Sequence, residues 1–166
     1  MLGIDPGVSR CGYGCLGGDA AAPMVVGAGV LTTPATDPLP RRLAALAEDL
    51  RALLAEYRPD AVAVERVFFQ NNARTAMSVG QASGLALAAA ARAGCEVAQY
   101  TANEVKQAVA GYGAATKEQV QRMVQRMLHL GEVPRPPDVA DALALALCHL
   151  ALAPRMARIS AAGGPG

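Results

Sequence analysis

The stretch RPPDVADALALALCHLALA, residues 135–153, constrains the fold more than any other part of the chain. Apart from two aspartates at its mouth it is almost wholly apolar, so it reads as a helix anchored against the body of the protein. Its longest apolar run, Ala142 to Ala153, is too short to cross a bilayer. Pro136-Pro137 suits a helix start, and acidic side chains in a first turn satisfy free N–H groups and favour the positive end of the helix dipole. Asp138 and Asp141 therefore have a capping reading. They also have a chemical one, because positions i and i+3 share a helix face and two carboxylates there can point at one bound cation.

A chain of 166 residues with 52% hydrophobic content suits a single globular domain, expected over residues 1–153. The Gly/Ala/Pro-rich segment 154–166 reads as a disordered tail. MLGIDPGVSR carries no basic and apolar leader, so a soluble, cytoplasmic protein is expected. Cys11, Cys15, Cys95 and Cys148 form no CxxC pair and have no histidines at zinc spacing, which points to reduced thiols rather than disulfides or structural zinc. The formal net charge of +1 is not that of an obvious nucleic-acid binder, but its distribution is uneven. Residues 1–40 hold one base and three acids, whereas 101–136 hold five bases and three acids, a stretch that could meet phosphate.

MLGID opens with a short strand ending at Asp5; after the Pro6-Gly7 turn, CGYGCLGG and MVVGAGVLTT read as two more strands in antiparallel hairpins. Leu43, Leu46, Leu50, Leu53, Leu54 and Tyr57 recur at helical spacing over Arg41 to Tyr57. AVAVE, residues 61–65, lies between that helix and another from Arg74 to Ala93, the setting of a buried parallel strand. Gly80 and Gly84 open one face of the second helix to close approach, and packing on the sheet is the simpler reason for them. CEVAQYT supplies a fifth strand. TANE and TKEQ both have capping-box spacing, the first opening a short helix that stops at Gly111, the second a helix through Leu130. Glu104 is thus a cap rather than a catalyst. Together these elements predict an α/β fold, a mixed five-stranded sheet with helices on both faces.

Asp5 and Glu65 each end an internal strand, where a carboxylate must be paired, solvated or bound to a cation. If their strands are neighbours and the last helix crosses their ends, Asp5, Glu65, Asp138 and Asp141 converge, and so many carboxylates in one place repel strongly without a metal. Oxygen-only donors select hard ions, Mg²⁺ or Mn²⁺, and a pair of them can clamp both oxygens of a phosphoryl transfer.

GIDPG followed by GYG, VAVERVFF, NEVKQAVAGYGAATKEQV and PPDVADALALALCH, in that order, resembles the RuvC crossover junction endodeoxyribonucleases, the Holliday junction resolvases, from Gly3 to about His149. The resemblance implies a ribonuclease-H-like fold. It also implies a homodimer that nicks four-way junction DNA in symmetric pairs, leaving ligatable 5′-phosphate ends in recombination and repair, with the branch-migration proteins RuvA and RuvB as partners. It places the catalytic, metal-binding set, for two ions, on Asp5, Glu65, Asp138 and Asp141. A two-fold dimer suits a junction with two equivalent strands to cut.

The same resemblance gives Phe68 the role of stacking on an unpaired base, worth roughly 1–3 kcal/mol; read alone, VFF after a strand is more simply core, although it runs into polar QNN. Lys106 and Lys117 are the two lysines of a chain with thirteen arginines, which suggests a use for a compact ammonium. The resemblance puts both near the scissile phosphate as DNA-binding residues. His149, two turns beyond Asp141, reads as a satisfied core group or a support to the ligands rather than a ligand. Asn71, Ser78 and Ser83 stand where relatives usually carry Lys or Arg, a loss that weakens phosphate binding if those positions face DNA. The chain before GIDPG is shorter than usual, which leaves either a clipped first strand or a start further upstream. Two other readings remain: a ribonuclease-H-like nuclease of RNA processing, which leaves VFF and the lysines unexplained, and a non-catalytic junction-binding protein, which leaves the clustered carboxylates unexplained.

Overall fold

Alternation of side chains along the strands decides where everything else packs. The computed structural model describes residues 1–67 and 73–162, with side chains described outside 73–75 and 154–162. Its elements are β1 (Leu2–Asp5), β2 (Arg10–Gly17), β3 (Met24–Thr32), α1 (Leu39–Tyr57), β4 (Ala61–Glu65), α2 (Ala73–Arg92), β5 (Glu96–Tyr100), α3 (Ala102–Ala110), α4 (Lys117–Met127) and α5 (Pro137–Ala162). The sheet runs β3-β2-β1-β4-β5. Its first three strands are antiparallel hairpins, and β1, β4 and β5 are parallel. This is the expected mixed five-stranded α/β architecture, helices on both faces.

Leu2, Ile4, Val62 and Val64 point to one face and pack on Leu46, Leu50 and Leu53 of α1 and on Ala82, Ala86 and Ala90 of α2. α1 begins without a side-chain cap or an acidic first turn, a deficit of about 1 kcal/mol for each missing feature. Four buried leucines on it, at roughly 1.5–3 kcal/mol apiece, outweigh that. The helix is made by its packing.

The opposite face carries α5, with α3 and α4 outside it. From Val139 to His149 all but Asp141 are buried, so this stretch of α5 is enclosed on every side, as its composition demands. Two glycines let it lie against the strands. A Cβ at Gly3 would collide with the Ala142 carbonyl oxygen, and one at Gly12 with that of Asp138. The glycines of GID and CGYG are therefore the seat of the last helix.

Three details differ from the sequence reading. α5 continues through Pro154 to Ala162; Ala151, Arg155, Met156 and Ala157 beside the proline are good helix formers, so one missing N–H does not end the element. α4 ends at Met127, and the chain turns away through His129 in a left-handed conformation, φ 51°. Gly80 and Gly84 do not face the sheet: both are exposed, with nothing within 4 Å of an added Cβ. Among the described residues no helix is long and apolar enough to cross a membrane. The short β1 is closed by reciprocal bonds between Met1 and Leu16: the terminal amine donates to the Leu16 carbonyl and the Leu16 amide to Met1.

Candidate active site

Asp5 and Glu65 end two neighbouring parallel strands, whose register pairs Gly3 with Ala63 and Ile4 with Val64. Both carboxylates therefore emerge at the C-terminal edge of the sheet, where open α/β sheets bind ligands. There a cavity of about 410 Å³ is lined by Asp5, Glu65, Asp141, Lys106 and Lys117 over a floor that includes Val105, Val120 and Leu145. Lys106 comes from α3 and Lys117 from the first residue of α4, and capping boxes at Thr101–Glu104 and Thr116–Gln119 fix both helix starts. Glu104 is the cap the sequence predicts: its Oε2 accepts from the Thr101 amide at 2.8 Å.

The carboxylates differ in their electrostatics. Burial first, then the negative charges of Glu65, Asp141 and Asp138, push the Asp5 carboxyl up to about 7. Burial and Asp141 also raise Glu65, and Lys117 partly opposes both shifts. Asp138 goes the other way, its carboxyl lowered chiefly by hydrogen bonds from Arg10. Lys117 is raised, mainly by its bond to Asp141, with Nζ 2.6 Å from Oδ2.

The four carboxylates do not meet at one point as expected. Asp5, Glu65 and Asp141 face the cavity. Asp138 is held at the rim, where Arg10 Nη2 donates to its Oδ2 at 2.9 Å and Arg10 Nε lies 3.2–3.3 Å from both oxygens. Among the described residues no three acidic, histidine or cysteine side chains are close enough to hold an ion as they stand. The physical reason is the two ion pairs, Arg10–Asp138 and Lys117–Asp141, which draw the α5 carboxylates onto cations of the chain. The donor chemistry nonetheless fits a hard divalent ion: oxygen donors only, two of them raised by burial first and then by neighbouring negative charge, both of which a bound cation would offset.

Arg10 is the residue that sequence reasoning missed, although it is the lone base of residues 1–40. His149 is a satisfied core group, its Nδ1 3.0 Å from the buried Tyr100 hydroxyl. Burial lowers its pKa. Phe68 and Asn71 lie outside the described residues. Ser83 is 5% exposed on α2, so that position does not face DNA; Ser78 is half-buried. None of the four cysteines is in a disulfide.

The family model described as crossover junction endodeoxyribonuclease RuvC matches residues 1–149. A RuvC from Syntrophomonas wolfei is 51% identical over 150 residues, covering 90% of this chain and 87% of the relative. The structure of Thermus thermophilus RuvC in complex with a Holliday junction substrate superposes with a TM-score of 0.87 at 41% identity, covering 95% of this chain and 96% of that one. The yeast mitochondrial Holliday junction resolvase shares the fold at 14% identity, with a TM-score of 0.64 over 95% of this chain and 81% of that one. Strand-end carboxylates, a crossing helix with two more, and a match that spans nearly all of both chains agree: the chain belongs to the RuvC crossover junction endodeoxyribonuclease family.

Proposed function

We propose that this chain resolves four-way DNA junctions by hydrolysing one phosphodiester on each of two symmetric strands, at the cavity between Asp5, Glu65, Asp141 and Lys117. The observation that carries the reading is the side-by-side emergence of Asp5 and Glu65 beneath α5, with two lysines at the same cavity. The family is a metal-dependent nuclease family. Two ions, Mg²⁺ or Mn²⁺, held by Asp5, Glu65, Asp138 and Asp141 would supply an activated water and stabilise the leaving 3′ oxygen.

The chain's own residues do the rest. Lys106 holds the DNA backbone beside the scissile phosphate. Lys117 moves from Asp141 to the charge that develops on the phosphate oxygens. Phe68 stacks on a base unpaired at the opened junction. The apolar floor limits water to the reacting end of the cavity. Junction DNA, a second copy of the chain and, by resemblance, RuvA and RuvB are the partners in this reading, and the cytoplasm is where they meet. Support for a two-fold pair comes from the outer face of α2, where Met77 is exposed beside the open Gly80 and Gly84.

The test is competition between substrates. With Mg²⁺ the chain should cut an immobile four-way DNA junction and leave structured RNA of similar size intact; preferential cutting of the RNA would overturn the reading.

A further inference from the structure

Among the described residues, Arg10 pairs with a carboxylate of the site and has no role in the mechanism above. It stands at the first residue of β2, its side chain 49% exposed, and its fork lies on both oxygens of Asp138. A guanidinium fork fits a carboxylate and a phosphate equally well. Its surroundings extend the positive character. Arg42 Nε donates to Thr33 Oγ1 at 2.9 Å and its Nη2 donates to Ser9 Oγ, which ties the start of α1 to the turn just before Arg10. Arg41 beside it is exposed, and the first turn of α1 contains no acid. Two arginines at a helix N-terminus oppose the dipole, an arrangement that an approaching anion would relieve.

We propose that Arg10 is a phosphate-binding residue on a basic edge formed with Arg41 and Arg42: it grips Asp138 as seen here and passes to the DNA backbone when a divalent ion takes that carboxylate. The inference rests on the junction-cleaving reading and adds to it a DNA contact and an order of events. One carboxylate face cannot serve both the ion and the fork, so ion binding at Asp138 loosens Arg10 while the negative phosphate arrives. Metal loading and DNA grip are thereby coupled through a single side chain.

The test is the salt dependence of junction binding, measured for the wild type, Arg10→Gln and Arg10→Lys with Ca²⁺, a hard ion used in place of Mg²⁺, and with EDTA. Each neutralised phosphate contributes about 0.9 to the slope of log K against log salt. With Ca²⁺, Arg10→Gln should lower the slope by about that amount and Arg10→Lys should keep it; with EDTA the three proteins should agree. Ca²⁺ titrated without DNA should bind Arg10→Gln about two- to fivefold tighter, as expected on removing an exposed competing ion pair. Circular dichroism melts establish that each variant folds, and if Arg10→Gln does not, the Arg10→Lys titration decides: weaker competition with slope retained supports the proposal, unchanged Ca²⁺ affinity overturns it. Equal slopes for the wild type and Arg10→Gln in Ca²⁺, or an equal drop in both conditions, overturns it too. Mg²⁺-dependent nicking by the wild type separates the outcomes. If the wild type nicks and Arg10→Gln shows no slope change, this proposal alone fails; if the wild type neither binds nor nicks the junction, the underlying reading falls and takes it along.

Discussion

Asp5 is destabilising to the fold that carries it. Its carboxyl is raised from an ordinary 3.8 to about 7 by burial and by three neighbouring acids, so between those values the folded chain binds a proton that the unfolded chain does not. The stability that this proton brings is fully present below pH 3.8 and is lost as pH rises through about 7. In EDTA, melting temperature should therefore fall between pH 6 and 8 by more in the wild type than in Asp5→Asn, and the variant should melt higher at pH 8. At roughly 2–4 °C per kcal/mol for a domain of this size the difference is within reach of calorimetry. Mg²⁺ should remove most of it, and its apparent affinity should rise with pH through the same window as the proton is displaced. A wild type whose melting point is flat over that range would contradict the burial of Asp5. The strand-end positions of Asp5 and Glu65 were legible in the sequence, where a carboxylate has no backbone to cap, whereas the pairing of Asp138 away from them was not. Nor was Arg10, since its partner lies 128 positions away and nothing local distinguishes a paired guanidinium from a solvated one.

At the level of elements, α5 is held by what the strands lack. Gly3 and Gly12 admit its backbone, and neither obstacle is a flexible side chain that could give way. Gly3→Val should thus cost about 3 kcal/mol or more, beyond ordinary overpacking, and displace Asp138 and Asp141 from the strand ends. Denaturant unfolding measures the loss, and a variant of native stability would contradict the seating of α5 on the sheet. The helices that begin at Thr101 and Thr116 were predicted because capping boxes are local grammar, and α1 because leucines repeat on one face. The orientation of α2 was not legible. Gly80 and Gly84 have the spacing of a packed face, and small residues leave no sign of which side is covered.

On the proposed function, the whole molecule serves a task that takes two copies. The mixed five-stranded sheet was legible from hairpins and a strand–helix–strand unit, whereas the adjacency of β1 and β4 was left as a condition and the partner surface has no fixed sequence signature. If the open face of α2 joins two copies, Gly84→Arg should yield monomers in sedimentation velocity without lowering the melting point by more than a few degrees, as surface substitutions cost little. A dimer unchanged by that substitution would move the contact elsewhere. The most direct measurement of the central claim is cleavage of an immobile four-way junction labelled on each strand. With Mg²⁺, the wild type should give two nicks at symmetry-related positions with ligatable 5′-phosphate ends, while Asp5→Asn should bind the junction as tightly and cut it at least a thousandfold more slowly, the scale of loss on removing a central catalytic group. Equal cutting by Asp5→Asn, or a wild type that binds the junction with Mg²⁺ and leaves every strand intact, would contradict the account.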